Sequence, residues 1–338
     1  MPLKKLKLKA GVNRENTRYT NEGGWYECDK VRFRQGTPEK IGGWQRISQS
    51  VFQGVCRSIW NWVTLGSQNL VGLGTNLKFY IENGGGYYDI TPLRKAAATL
   101  TNPFTTVSGS ATVTVTDATG GYIVGDFVTF SNASAVGGLT IDGEFQVVDL
   151  SSSTSYTITA SSNATSSATG GGTVTAEYQI NVGPAFAIPL VGWGASSWGS
   201  GTWGVGAESV EEVRQWSQAN FGEDLIFGPR GGTLFYWDAS ATNSLSVRGV
   251  ALSSLSDASN VPTIQNLTLV SDISRFVFCF GCNELGSASL NTMLIRWSDQ
   301  EDATNWTPSA TNQSGDLILS NGTNIIAAKQ SRQEVLVW

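Results

Sequence analysis

Two clusters in this sequence hold residue types that could do chemistry. The first is Cys279-Phe-Gly-Cys282, whose spacing is that of a redox pair or of half a zinc site. Zinc needs two further ligands. With no histidine in the chain these would have to be Cys28 and Cys56, which do not form a second close pair. A redox pair of the thioredoxin type opens a helix in a βαβ unit, whereas this one ends an apolar, strand-like run, so free thiols packed as small hydrophobes are expected. The second cluster is Asp299, Glu301 and Asp302 within SDQEDATNWTP (298–308), the one dense group of carboxylates. Glycosidases use paired carboxylates about 5–10 Å apart in a cleft, so this is where such chemistry would have to sit.

The acidic stretch is similar in part to the Asp-box turn of sialidase-type propellers, in which Ser, Asp and Trp brace a hairpin. Here the glycine is missing and Trp306 comes late, and an Asp box is itself a structural turn. The expectation is therefore a solvated or Ca²⁺-binding turn without catalysis. GPRGG (228–232) has the glycines of a phosphate loop but neither the Lys-Ser/Thr ending nor the following helix, and reads as a hairpin turn with Arg230 at its tip. In GWGASSWGSGTWGVG (192–206), Trp193, Trp198 and Trp203 recur every five residues. That spacing fits neither strand nor helix, so turns place the indoles, either as packing between blades and subunits or as a glycan-stacking surface.

Charge is distributed unevenly. Residues 1–57 hold 12 of the 22 Lys and Arg but only 5 of the 27 acids, and none of the cations falls between Ala96 and Val213. The basic head comprises Lys4, Lys5, Lys7, Lys9, Arg14 and Arg18, then Lys30, Arg32 and Arg34, the last two on one face of the strand-like VRFRQG. It could face a nucleic acid, but an extended arm that docks onto a neighbouring subunit or an acidic partner protein explains the same charges without the tight, salt-dependent grip that each neutralised phosphate adds. The absence of histidine excludes His-based triads, His-ligated metals and a histidine pH switch. No cofactor, metal or catalytic residue is expected. The positive start lacks the apolar run of a secretory signal, and nowhere do 18 apolar residues run together, so no membrane-spanning helix is expected.

The elements that position these residues are strands. Runs rich in Val, Ile, Thr and aromatics alternate with Gly, Asn, Asp and Ser. RSIWNWV (57–63), NLVGLG (69–74), LKFYIEN (77–83) and GYYDIT (86–91) read as a four-stranded antiparallel meander. A similar order recurs over 211–240 and 267–299, each unit ending in an aromatic strand that runs into an acidic or Asn turn: Phe79 to Asn83, Phe235 to Asp238 and Ile295 to Asp299. Repeats of this kind predict propeller blades, with a further unit starting at 324–338. The Ser/Thr/Gly-rich stretch 99–184 predicts five or six strands at 111–118, 126–132, 144–150, 155–160 and 173–180, an inserted β-sandwich of the immunoglobulin-like size class. The fold class expected is all-β, a β-propeller-like body with this insertion. Its divisions are a basic arm and first strands (1–56), a first blade (57–98), the inserted domain (99–184), and the Trp/Gly loop with further blades (185–338). The run at Trp338 stops in mid-strand, and continuation beyond this chain is expected.

Several phrases together resemble the tail hub, nozzle or stabilisation proteins of short-tailed bacteriophages: GVNRENTRYTNEGGWYECDKVRFRQGTPEKIGGWQR (11–46), WSQANFGEDLIFGPRGGTLFYWDAS (216–240), MLIRWSDQEDATNWTP (293–308) and GDLILSNGTNIIAAKQSRQEVLVW (315–338). The resemblance covers most of 1–98 and 185–338 but not the insertion. It implies a non-enzymatic virion protein assembled in the host cytoplasm as a six-fold homo-oligomeric ring on the tail axis. Such a ring contacts the tail adaptor and other tail proteins, extends the channel for transient passage of double-stranded DNA, retains the genome and opens for ejection. The rival from another class is a carbohydrate-binding or carbohydrate-cleaving propeller that recognises the host surface. A cleft with two carboxylates, one with raised pKa, would separate that reading from a scaffold. A cytoplasmic propeller acting as an interaction platform fits the composition equally well.

Overall fold

The computed structural model describes residues 8–15, 17–43, 45–46, 48–183, 188–189, 209–211, 213, 215–332 and 334–338. It divides into two compact units, Met1–Gln49 and Ser50–Trp338. In the first, β1 (Val31–Arg34) and β2 (Thr37–Lys40) form an antiparallel hairpin. Gln35 and Gly36 turn it, with φ of 50° and 80°, the left-handed pair that matches strand twist. Alternation along β1 turns Val31 and Phe33 to a half-buried face and leaves Arg32 and Arg34 exposed together.

The second unit opens with a four-stranded meander, blade 1: β3 (Cys56–Val63), β4 (Asn69–Thr75), β5 (Phe79–Asn83) and β6 (Gly86–Asp89), antiparallel in that order. The inserted region contributes β7 (Ala98–Thr101), β8 (Phe104–Thr106), β9 (Thr112–Thr116), β10 (Phe127–Ser131), β11 (Gly143–Gln146), β12 (Asp149–Ser152), β13 (Ser155–Thr159), β14 (Ala168–Gly170) and β15 (Thr173–Tyr178). They make two sheets, β11-β10-β15-β7 and β12-β13-β9-β8-β14. Between the sheets lies one core that includes Phe104, Val115, Phe130, Tyr156, Ile158 and Tyr178, as in a β-sandwich. The insertion therefore has nine strands where five or six are expected from sequence. The run 144–150, read as one strand, is two. Val147 N–H donates to Asp126 O beside one sheet, and Val148 N–H donates to Thr157 O in the other, so the chain crosses between sheets at that step. A strand that changes sheets at a sandwich corner satisfies its backbone on both sides without a loop, and residue alternation cannot reveal the crossing.

After β16 (Ile188–Pro189) and β17 (Ser209–Glu211), which pair antiparallel, come two more four-stranded sheets. Blade 2 is β18 (Trp216–Phe221), β19 (Asp224–Pro229), β20 (Phe235–Trp237) and β21 (Val250–Ala251); blade 3 is β22 (Gln265–Val270), β23 (Val277–Asn283), β24 (Leu290–Trp297) and β25 (Gly315–Ile318). A hairpin of β26 (Ala328–Gln330) and β27 (Val335–Val337) follows. The aromatic strands that sequence places at the end of each unit are the third strands, β5, β20 and β24. A fourth strand follows each of the later two after a long connection, and this separation hides it from a local reading.

The first strands pack in succession, β18 beside β3 and β22, and β26 beside β22, the arrangement of inner strands in a propeller-like body. Aromatic residues fill the space between blades 1 and 2. Phe79 lies 4.3 Å from Phe227 and 4.9 Å from Trp216 between ring centroids, and Trp216 Nε1 donates to Thr75 O at 2.7 Å. Two glycines on β4 permit this approach: a Cβ on Gly74 would sit 2.5 Å from Trp216 Cδ1, and one on Gly72 2.3 Å from Gln218 Oε1. Blades 2 and 3 share a core of Ile226, Val277, Cys279, Cys282 and Trp306, among others.

Candidate functional site

Cys279 and Cys282 lie on β23, fully buried and unbridged. In a regular strand, residues three apart point to opposite faces. Here the register shifts between Phe280 and Cys282, Gly281 takes φ of 57°, and the bulge returns Cys282 to the face of Cys279. Both thiols therefore enter the same core. Burial drives the Cys279 pKa well above its ordinary value, with nearby Cys282 adding to the rise, and burial pushes Cys282 up to about 12. Burial thus favours the protonated thiols, whereas the thiolate is the nucleophilic form.

The acidic turn joins β24 to β25. Each carboxylate that bonds does so within the turn: Asp299 Oδ1 accepts from Gln300 N and Gln313 N at 2.8 and 2.9 Å. Asp302 Oδ1 accepts from Thr304 N and Thr304 Oγ1 at 2.8 and 2.6 Å. Ser298 is buried and its hydroxyl accepts from Val277 N, while Trp306 is buried and donates to Ala303 O at 2.8 Å. Ser, Asp and Trp thus brace the connection between the outer strands of blade 3. Among the described residues no group of three or more His, Cys, Asp or Glu could hold a metal ion.

GPRGG forms the turn between β19 and β20, where Gly231 has φ of 70° and donates to Gln265 O at 2.7 Å. Arg230 has further partners of its own. Of the basic head, Lys4, Lys5 and Lys7 lie outside the described residues, as do Trp193, Trp198 and Trp203. Lys9 is held through its backbone, its N–H donating to Gly23 O at 2.8 Å. Arg14 and Arg18 converge on Glu27 at 3.3 and 3.7 Å and stand over the Tyr26 ring at 5.6 and 5.2 Å. Arg32 pairs with Glu39 across the hairpin at 3.3 Å. Arg34 is exposed beside it, opposite Thr37.

Two surfaces of the second unit arise from the blades. The inner strands surround a recess of about 290 Å³ that includes Ser58, Trp60, Gln218, Thr268 and Lys329, with Lys329 Nζ 5.8 Å from the Trp60 ring centre. At one end, the turns joining first to second strands of the three blades meet. Leu65 N donates to Glu223 Oε1 at 2.7 Å, and a concavity of about 650 Å³ runs between the turns. Leu65 and Ile273 on these turns are 92% and 74% exposed, an uncovered pair of large apolar side chains at the same end.

The charged cluster that holds the insertion to the blades escapes a sequence reading. Lys78, 2% exposed, is ion-paired with Asp89 of blade 1 at 2.9 Å and with Glu144 of the insertion. Its ammonium stands 4.8 Å from the Phe127 ring centre. Gln179 Nε2 donates to Glu144 at 2.9 Å and to Asp89 at 3.2 Å, and Arg248, beyond β20, reaches Asp89 at 3.4 Å. Burial alone would raise the Asp89 pKa, but Arg248 and Lys78, with a hydrogen bond at Thr91, hold it below its ordinary value. A second clamp closes the insertion's base: Arg94 pairs with buried Asp126 at 2.8 Å, whose other oxygen accepts from Asn181 at 2.8 Å. These partners are as far apart in sequence as 78 and 248. The only local hint is a lysine set directly before the apolar Phe79-Tyr80-Ile81.

Among the described residues no helix is long and apolar enough to cross a membrane. No protein-family model matches the chain. No curated protein matches it either. Among solved structures, phage phi92 endosialidase aligns with 89% of this chain and 43% of its own, at 14% identity and a TM-score of 0.25. The chain thus spans less than half the length of that protein.

Proposed function

We propose that the protein is a structural component of a phage tail, a hub or nozzle that works by assembly rather than catalysis. The observation that carries this reading is the use made of its two chemistry-bearing clusters. The cysteine pair packs the core between blades 2 and 3, and the acidic turn binds its own backbone. Of the phrases that resemble tail hub proteins of short-tailed phages, 216–240 and 293–308 lie in those same blades. Rigid blades with an ionically clamped insertion suit a part that must hold shape under load.

In this reading copies form a ring. The exposed Leu65 and Ile273 turns and the Arg32/Arg34 face are surfaces that contacts between copies or tail partners would bury, and obligate interfaces run above ~2,000 Å². The channel for DNA then lies between copies. The inner-strand recess of about 290 Å³ is too small for a duplex whose major groove alone is about 12 Å wide. Closed cyclic symmetry follows if the contact is heterologous and its rotation closes.

Mass photometry and negative-stain imaging of the purified chain, alone and with the tail components encoded beside it, test this. A ring with a hole about 20 Å or wider, enough for a duplex on the groove dimensions above, is expected. A chain that stays monomeric and joins no tail component refutes it.

A further inference from the structure

The end of the second unit where the turns between first and second strands meet carries apolar and acidic groups side by side. Leu65 and Ile273 are 92% and 74% exposed there, and Val63, at the end of β3, is 59% exposed. Several large apolar side chains left uncovered at one end mark an interaction surface. The concavity between the turns is lined by Glu223, Asp224 and Asp272 and, among the described residues, by one cation, Arg275. Glu223 spends one carboxylate oxygen on Leu65 N. Asp272 is exposed, and among the described residues its carboxylate accepts no hydrogen bond and forms no ion pair. The local field is negative: burial raises the Asp224 pKa, and the charges of Asp238 and Glu223 add to the rise.

A surface that is apolar and negative at once selects a partner that is apolar and positive, and it repels nucleic acid. The sequence holds such a segment: in Lys5-Leu6-Lys7-Leu8-Lys9, lysine and leucine alternate strictly. In extended form the leucines fall on one face about 7 Å apart and the lysines on the other. Leu8 is 53% exposed and Lys9 is exposed beside it, so both kinds of side chain are uncovered where the structure describes the segment. A strand lying in a concavity meets a wall on each side, and the long lysine stems let the ammonium groups turn to carboxylates at the rim.

We propose that this end of the blades binds segment 3–9 of a neighbouring copy, with its leucines against Leu65 and Ile273 and its lysines facing Glu223 and Asp272. The inference rests on the ring reading and gives the arm its receptor. The contact is heterologous, the arm of one copy on the blades of the next, which is the kind that generates a ring when its rotation closes.

Two measurements on the full chain test it. In the first, a fluorescein-labelled peptide MPLKKLKLKAGV is titrated with a chain carrying Lys5→Glu and Lys7→Glu, whose own arm no longer competes. Saturable binding is expected, at least about tenfold tighter than for the same peptide with serine at each leucine, since the burial of leucine is lost. Adding Asp272→Lys, a change at an exposed side chain, should keep the Tm and weaken the peptide at least about threefold at low salt. In the second, a photo-reactive phenylalanine analogue replaces Leu6 in unlabelled chain, which is mixed with ¹⁵N-labelled parent. Mass spectrometry is expected to find mixed-isotope crosslinks onto the peptides that hold Leu65 or Ile273. No saturable peptide binding, equal binding of the serine peptide, unchanged binding by a folded Asp272→Lys chain, or crosslinks confined to one chain would each overturn the proposal. Rings that form while the peptide goes unbound locate the failure in the docking. A peptide bound to a chain that never associates locates it in the ring reading, and overturns the neighbouring copy as the occupant.

Discussion

Replacing Lys78 by Met puts the coupling between insertion and blades to a direct test. The ammonium is 2% exposed and pairs with two carboxylates. Removing one partner of a buried ion pair costs about 3–5 kcal/mol because the other charge stays desolvated. Two features place this case near the lower end of that range. Asp89 and Glu144 keep 23% and 26% exposure, and each retains a partner, Arg248 at 3.4 Å for Asp89 and Gln179 at 2.9 Å for Glu144. The expected loss is about 3 kcal/mol at pH 7, read as a lower urea midpoint with unchanged m value. Adding Glu144→Gln should recover part of it, since that change removes one of the stranded charges. The pH dependence has a definite sign. The folded pKa of Asp89 is depressed, so its stabilisation is complete above the unfolded carboxylate value of about 3.9 and is lost as pH falls through the folded value. The gap between parent and Lys78→Met should therefore hold between pH 7 and about 5 and narrow below about 3.9. A loss under about 1 kcal/mol, against the ~3 expected for a broken buried pair, or a gap that stays constant into acid, would refute the assignment of this cluster as a buried ionic clamp.

Four further outcomes follow from the packing and the titrations. Gly74→Ala should destabilise by about 1–3 kcal/mol in thermal or urea unfolding, because its Cβ would meet the Trp216 ring at 2.5 Å. Trp306→Ala should cost about 3–5 kcal/mol, since the indole is buried between the acidic turn and the core of blades 2 and 3. In native protein at pH 8, a thiol reagent should modify exposed Cys56 and spare Cys279 and Cys282 until the chain unfolds, as mass spectrometry of labelled peptides would show; burial also raises the Cys56 pKa, so its labelling should quicken with pH. Tyr178→Phe removes the hydrogen bond to Asp117 at 2.7 Å and should cost about 1–3 kcal/mol. Burial pushes the Asp117 pKa up, and hydrogen bonds from Thr119 and Tyr178 hold it lowered, so in this variant its carboxyl resonance should titrate at higher pH than in the parent.

The interface between blades 1 and 2 shows how the chain combines stiffness with precision of fit. Small residues on β4 let large rings on β18 and β19 approach, and the buried indole N–H groups find acceptors across the gap: Trp216 to Thr75 O and Trp62 to Glu223 O at 2.8 Å. An aromatic side chain contributes a large buried area, and its polar tip fixes its angle. The insertion is held differently, by ions and amides around Lys78 and Arg94. A polar junction of this kind is specific in geometry and sensitive to acid, whereas the blade cores respond mainly to changes in volume.

Much of the fold can be read in residue order because strand formation leaves a local record. Alternation and turn residues mark β3 to β6, the aromatic third strands β5, β20 and β24, and several strands of the insertion, and the lack of histidine excludes whole classes of chemistry before any folding is considered. What alternation cannot carry is a break in its own period or a contact between distant segments. The bulge at Gly281 puts Cys279 and Cys282 on one face, and the step between Val147 and Val148 moves the chain from one sheet to another. β21 and β25 lie beyond long connections, so nothing local announces their partners. The placement of charge was least legible of all. Lys78, Asp89, Glu144, Gln179 and Arg248 are ordinary polar residues in five separate stretches, and Arg296 is the penultimate residue of β24, directly after the apolar Met293-Leu294-Ile295. Only the packed blades remove water from them, and desolvation together with the distances to partner groups turns those residues into an ionic clamp in one place and a buried guanidinium bound by three backbone carbonyls in another.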